Sequence, residues 1–117
     1  MRPDGYPCVV RLLTAVSSIL LLAGCGPAIT ASCPPSSTLT YSNFGQGFAT
    51  SYCVSCHSSA LVEKGVDLSS QALVAQHAGV VYQEASAKSS MPPPGSAPAP
   101  TAAERAQLGD WLACGAP

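Results

Sequence analysis

Two cysteines and a histidine stand close together near the middle of the chain, in the stretch Cys53-Val54-Ser55-Cys56-His57. Two thiols three positions apart, followed at once by an imidazole, are the attachment pattern of a c-type haem. Each thiol adds to one vinyl group of the porphyrin, and the histidine that follows can offer a neutral ring nitrogen to the iron. The pattern therefore predicts one covalent haem c, carried by Cys53 and Cys56, with His57 as an iron ligand.

Other chemistry is open to the same pair of cysteines. Two cysteines with this spacing can form a disulfide, supply half of a zinc site, or exchange thiols with a disulfide in another protein. Zinc would require two further ligands at matching spacing, and the only other histidine, His77, has no second such motif near it. A thiol exchange pair on a thioredoxin-like fold expects a βαβ setting, and no pattern of parallel strands surrounds Cys53 and Cys56.

A methionine followed by three prolines is the second candidate for iron ligation. Consecutive prolines after Met91 exclude a helix and hold the backbone extended, which fixes the direction of the preceding side chain. A thioether is a soft ligand suited to haem iron, so Met91 is predicted as the sixth ligand. Tyr82 is a candidate donor to its sulfur. His77 is the rival ligand, and a site without a sixth ligand would instead suggest a haem sensor.

The beginning of the chain has the composition of an export signal. Two arginines precede a short apolar run, residues 12–22, which is too short to span a bilayer comfortably. The run closes with leucine, alanine and glycine before Cys25, an ending that resembles a bacterial lipoprotein signal. We therefore predict a signal peptide over residues 1–24, a lipid on Cys25, and anchoring to a membrane on the periplasmic side of a bacterial cell envelope.

The remaining cysteines predict a disulfide. Cys8 leaves with the signal, Cys25 is assigned to lipid, and two cysteines are assigned to haem, which leaves Cys33 and Cys114. Export places both in an oxidising compartment, where a disulfide persists. A bridge between Cys33 and Cys114 would tie the entry of the domain to its last helix.

Composition along the chain predicts a tether and then a helical domain. Residues 25–39 are rich in proline and serine, and they are predicted to link the lipid to a domain over residues 40–117. The aromatic residues before Cys53 recur at helical spacing and predict one helix that carries Tyr41, Phe44, Phe48 and Tyr52 on a single face. Glycines in this helix would be tolerated if a second helix crosses closely there.

Two further helices have recognisable start signals. Ser69 or Ser70 is a plausible cap for a helix over roughly residues 71–87. Thr101 and Glu104 match a capping box, which predicts a final helix that carries Leu108, Trp111 and Leu112. We expect this last helix to cross the aromatic one near its glycines.

Size and charge limit the choice of partners. The chain has 117 residues with five basic and six acidic side chains, for a net charge of −1. No basic patch is available to hold nucleic acid, so no nucleic-acid partner is expected. A domain this small is marginal from burial alone, and a large apolar cofactor would fill much of its interior.

Together these features resemble a class I cytochrome c domain over about residues 40–114. In that family the two thiols carry the haem, the histidine is the proximal ligand and a methionine the distal one. The resemblance implies an all-α fold, a small cytochrome c-like domain of three to four helices around one haem. The chain departs from that family in one respect. Members of the family have a proline-containing stretch whose carbonyl orients the imidazole, and this chain has no counterpart of it between Ser58 and Ser70.

The sequence thus predicts a membrane-tethered monohaem c-type cytochrome. It would transfer single electrons between redox protein partners and would not be an enzyme. The alternatives are a thiol–disulfide exchange lipoprotein that uses Cys53 and Cys56, a five-coordinate haem sensor, and a disulfide-stapled lipoprotein without a cofactor.

Overall fold

The computed structural model describes residues 26–117, which form helices joined by loops. The predicted all-α class is confirmed, since no β-strand forms within this range and the one antiparallel bridge joins His57 and Val62. The predicted signal peptide, residues 1–24, and the predicted lipidation site Cys25 lie outside the described residues. None of the helices described is both long and apolar enough to cross a membrane.

The first helical segment carries the aromatic residues and leads into the cysteine pair. A π-helical turn, Tyr41–Gly45, continues directly into helix α1, Gln46–Tyr52. The ring centroids of Phe44 and Phe48 lie 5.7 Å apart, and those of Phe48 and Tyr52 lie 5.0 Å apart. The aromatic stripe predicted from the spacing is therefore confirmed, and it ends one residue before the first cysteine of the motif.

Side-chain caps fix where three of the helical segments begin. The hydroxyl groups of Thr40, Ser70 and Thr101 each accept a hydrogen bond from a backbone N–H three residues further on. The side chains of Asn43 and Glu104 in turn accept from the backbone N–H groups of Thr40 and Thr101, which completes a capping box at each start. Such caps satisfy N–H groups that have no partner inside the helix, so the short segments can begin at these residues.

The middle of the chain forms a bent helical run. Helix α2 is Gln71–Gln76, helix α3 is Ala78–Val81, and a π-helical turn, Tyr82–Ala87, follows α3 directly. The prediction of one continuous helix over roughly residues 71–87 is wrong at His77, whose φ of −100° and ψ of 12° depart from helical values. The Val81 N–H still donates to the His77 carbonyl at 3.0 Å, so the run bends there and continues.

The last helix crosses the first at a glycine. Helix α4, Ala102–Ala113, places Trp111 in the core with only 1% of its surface exposed. The Trp111 ring packs against Phe44 with centroids 6.1 Å apart, and a Cβ placed on Gly45 would overlap the indole. The predicted close crossing is therefore confirmed at Gly45, where the missing side chain makes room for the tryptophan.

The two glycines of the first helical segment give a matched pair of variants. Gly45→Ala is expected to destabilise the domain by about 1–3 kcal/mol, because the new methyl group overpacks the core against Trp111. Gly47→Ala is expected to stabilise it by up to about 1 kcal/mol, because no atom lies within 4 Å of the added Cβ and alanine favours a helix. Denaturant unfolding of both variants measures the difference. Equal effects at the two positions would show that Trp111 does not limit the space at Gly45.

A disulfide joins the segment before the first helix to the end of α4. The predicted disulfide between Cys33 and Cys114 is confirmed, with Cα atoms 4.6 Å apart. The final carbonyl, of Pro117, accepts from the Tyr41 N–H at 2.6 Å and from the Trp111 indole N–H at 3.3 Å. The end of α4 is therefore held against the start of the first helical segment by covalent and polar contacts.

Residues 26–39 contain no helix or strand, as the proline and serine content predicted, but much of this segment packs on the helices. The Thr30 hydroxyl lies 3.0 Å from the Tyr82 hydroxyl, and the Gln83 side-chain amide donates to the Ala28 carbonyl at 3.1 Å. The segment predicted as a tether therefore has no regular structure, and part of it packs against the helical domain. The Tyr82 hydroxyl pairs with Thr30, so the suggested bond from Tyr82 to the sulfur of Met91 is wrong.

Candidate functional site

A cavity of about 360 Å³ lies between α1, the loop that follows it, α3 and the proline-rich segment. Its size is within the range typical of sites for small molecules and cofactors. The walls are mainly apolar, with side chains from Phe48, Leu68, Val80, Val81 and Ala85 and the rings of Pro92, Pro93 and Pro98. All four residues predicted to hold the cofactor line this same cavity, namely Cys53, Cys56, His57 and Met91.

The two cysteines occupy one tight turn at the carboxyl end of α1. Cys53 follows the last residue of the helix as its C-terminal cap, and its carbonyl accepts from the N–H groups of Cys56 at 3.1 Å and His57 at 2.9 Å. Both thiols are free, with Cys56 exposed and Cys53 partly buried. Burial raises the pKa of the Cys53 thiol to about 11, because an apolar environment disfavours the thiolate. Cys53 is therefore a neutral thiol at ordinary pH.

The imidazole of His57 is held by a backbone carbonyl. Its Nδ1 lies 3.1 Å from the carbonyl oxygen of Val66. A carbonyl can only accept, so Nδ1 carries a proton, and in the neutral ring Nε2 then keeps a free lone pair. The Leu68 N–H donates to the His57 carbonyl at 2.8 Å, which fixes the backbone of the same loop. This arrangement prepares Nε2 to bind a metal, since such a partner sets the tautomer and the ring orientation.

The loop that supplies this carbonyl is shaped by two left-handed residues. Lys64 has a φ of 56° and Gly65 a φ of 74°, within a short 3₁₀ turn, Glu63–Gly65. Glycine adopts such a conformation without strain, and its presence predicted a break in any helix here. The sequence did not predict the Val66 carbonyl as the partner of His57, because a backbone acceptor is not specified by any particular side chain. The long Lys64 side chain also lines the cavity.

Met91 is positioned through both of its peptide groups. Its N–H donates to the Glu84 carbonyl at 2.9 Å, and its carbonyl accepts from the Arg105 guanidinium at 2.7 Å. The side chain is 37% exposed and lines the cavity. His77, the rival candidate for the same role, is at the bend after α2 and is not part of the cavity lining. The structure therefore brings Met91, and not His77, to the cavity that the cysteines line.

A partly buried carboxylate, that of Glu104, connects α4 to the end of α1. The Tyr52 hydroxyl donates to Glu104 at 3.0 Å, and Glu104 also accepts from the N–H and the hydroxyl of Thr101. These bonds, led by the Thr101 N–H, lower the pKa of Glu104, while the bond to Glu104 raises the pKa of Tyr52. Glu104 therefore links the capping box of α4 to the residue just before Cys53.

The lowered pKa of Glu104 predicts a pH dependence of stability. A depressed carboxyl pKa contributes stability at a pH above the unfolded-state value of about 4.3, and this contribution is lost as the pH falls through the folded-state pKa. The difference in unfolding free energy between the natural chain and Glu104→Gln is therefore expected to shrink as the pH is lowered from 6 towards about 3. Denaturant unfolding at several pH values measures it. A constant difference would contradict the assigned role of the carboxylate.

A zinc site needs several histidine, cysteine or carboxylate ligands close together. No group of three or more histidine, cysteine, aspartate or glutamate side chains in residues 26–117 is arranged to hold a metal ion. A haem iron makes a different demand, because the porphyrin supplies the equatorial nitrogens and the protein needs to supply only the axial ligands. A histidine and a methionine on one cavity are such a donor set.

Comparisons with models of protein families, with curated proteins and with solved structures each find no match for this chain. The residues and geometry of the cavity therefore carry the functional conclusion.

Proposed function

We propose that this protein is a membrane-tethered monohaem c-type cytochrome that transfers single electrons between redox protein partners. The observation that supports it most is the shared cavity. Two thiols on one turn, an imidazole with a free Nε2 and a thioether all line a mainly apolar space of about 360 Å³. A covalent haem uses every one of these four side chains.

Each residue has a defined role in this proposal. Cys53 and Cys56 would form the thioether bonds, and the Nε2 of His57 and the sulfur of Met91 would bind the iron. Haem, when bound, supplies a one-electron couple between ferric and ferrous iron. The apolar walls would keep water from the iron, and a methionine opposite a histidine raises the reduction potential relative to two imidazoles. Lys64 would offer a positive charge to a propionate.

The thiol environment favours haem attachment over thiol–disulfide exchange. Cysteines that attack disulfides have a lowered pKa, which a helix N-terminus or a nearby cation provides. Cys53 stands at the other end of a helix, where the backbone dipole disfavours a negative charge, and burial raises its pKa to about 11. Its thiol would therefore be protonated at neutral pH. This alternative therefore has less support than the cytochrome.

The fixed position of Met91 favours a six-coordinate iron over a five-coordinate sensor. A sensor keeps one coordination position free for its ligand, whereas here a thioether lines the cavity on a backbone that is hydrogen-bonded on both sides. Six-coordinate iron changes its ligand geometry little between oxidation states, which suits electron transfer. Met91 is therefore proposed as the distal ligand, in preference to His77.

The proposed membrane location depends on a lipid at Cys25. With Ala28 and Thr30 already bonded to the helices, the chain between Cys25 and the packed part of the domain is only a few residues long. An extended residue spans at most about 3.6 Å, so the lipid would hold the domain close to the bilayer. Redox partners would then have to reach the cytochrome at the membrane surface on the periplasmic side.

The proposal is tested by expressing the full chain in a bacterium that has a haem maturation system. We expect a Soret band, a c-type pyridine haemochrome and a gain in mass equal to one haem. After reduction and denaturation, thioether-linked Cys53 and Cys56 should resist alkylation, while Cys33 and Cys114 should react. A purified chain with no haem mass and four alkylated cysteines would contradict the proposal, and its activity in disulfide exchange could then be assayed directly.

A further inference from the structure

The first turn of α4 reaches the segment that carries Met91. The Nη1 group of Arg105 donates to the Met91 carbonyl at 2.7 Å and to the Ala85 carbonyl at 2.6 Å. The carbonyl of Arg105 itself accepts from the Ser86 hydroxyl at 2.8 Å. The guanidinium therefore connects the end of the bent helical run with the proline-rich segment, from a backbone that is anchored to the same run.

In the described structure, this contact is the hydrogen bond to Met91 that comes from outside residues 78–98. The Met91 N–H and the Ser90 N–H both donate to the Glu84 carbonyl, at 2.9 and 2.8 Å. These bonds hold one side of Met91 to the π-helical turn, and Arg105 holds the other side. The prolines after Met91 have no N–H and so cannot donate backbone hydrogen bonds of their own. Without Arg105, the Met91 carbonyl would lose its only bond from a charged donor in the described structure.

We propose that Arg105 is the positioning residue for the sixth ligand, so that its two hydrogen bonds keep the Met91 thioether directed into the cavity. This inference rests on the proposed function, because it requires a haem bound at Cys53 and Cys56. A thioether is a weak ligand for ferric iron, and added ligands compete with it. The fraction of molecules in which Met91 is bound then depends on how firmly its backbone is held.

The test uses the haem-loaded full chain and its Arg105→Gln variant. Imidazole is added to the ferric protein, where it must displace Met91 to bind the iron. We expect the variant to bind imidazole about tenfold more tightly, the change that corresponds to the loss of one charge-assisted hydrogen bond. The long-wavelength absorption band of a methionine bound to ferric iron should weaken in the variant, and its reduction potential should fall.

Two controls separate hydrogen bonding from charge. Lys88→Gln removes a positive charge from the same region, where Lys88 pairs with Glu84 at 3.3 Å, and should leave imidazole affinity within about twofold. Arg105→Lys keeps the charge but lacks the guanidinium that serves both carbonyls, so it should give an intermediate affinity. If Arg105→Gln does not yield folded protein, the Arg105→Lys variant provides the test. An imidazole affinity of Arg105→Lys equal to that of the natural protein would then overturn the proposal.

A double variant distinguishes positioning of Met91 from a general effect on the fold. In a Met91→Ala background the thioether is absent, so Arg105→Gln should have no further effect on imidazole affinity. The same tenfold change in both backgrounds would overturn the proposal, because Arg105 would then act independently of Met91. Failure of the proposed function is a different result, since the natural chain itself would then contain no covalent haem.

Discussion

A chain in which Cys53 and Cys56 are both replaced by serine is expected to contain no covalent haem and to lose most of its cooperative fold. The reason is the cavity of about 360 Å³, whose mainly apolar walls would be left without a covalently held occupant. At about 24 cal/mol per Å³, a cavity of this volume costs at most about 9 kcal/mol, an upper limit because water can enter. Natural domains have only about 5–15 kcal/mol of stability in total.

The measurement is thermal unfolding by circular dichroism, together with the haem content of the purified protein. Ser55→Ala is the matched control, because it changes the same turn, keeps both thiols and removes only a long contact of 3.9 Å to the Cys56 sulfur. It should retain haem and unfold near the temperature of the natural protein. A double variant that unfolds at the same temperature as the control would favour a disulfide-stapled lipoprotein that needs no cofactor.

Much of the fold was predictable because local signals determine it. The aromatic spacing before Cys53 requires one helical face, and the hydroxyls of Ser70 and Thr101 mark helix starts by chemistry that acts within three residues. The crossing at Gly45 also follows from sequence, since glycine in a helix suggests a close neighbour. The disulfide could be predicted by assigning the other cysteines first.

The parts that escaped prediction depend on contacts between distant residues or on the backbone. The Val66 carbonyl that holds His57 has no side-chain signature, and the bend at His77 interrupts a sequence whose helical periodicity continues. Arg105 looks like an ordinary exposed cation in its own helix, and only the folded chain brings it to Met91. Small, polar residues near the start suggested a free linker, although Thr30 finds a partner fifty-two positions away in Tyr82.

The effect of losing the disulfide is expected to be the second largest. The bridge closes a loop between positions that are 81 residues apart. On the chain-entropy model, a cross-link of this span stabilises a protein by about 4.5 kcal/mol, because it restricts the unfolded chain. A Cys33→Ser/Cys114→Ser variant should therefore unfold roughly 20–35 °C below the natural protein, given the sensitivity of domains of this size. Thermal unfolding of the haem-loaded proteins measures the change.

The same variant separates the contribution of the disulfide from that of the noncovalent contacts around it. Thr30 and Ala28 keep their bonds to Tyr82 and Gln83 in the variant, so protease cleavage should increase between residues 31 and 39 before it increases near residue 28. The natural protein treated with a reductant is the control and should show the same unfolding temperature as the variant, because the proposed thioether bonds to haem would not be reducible. A loss below about 1 kcal/mol would mean that the contacts of Pro117 and Trp111 already hold the two ends together.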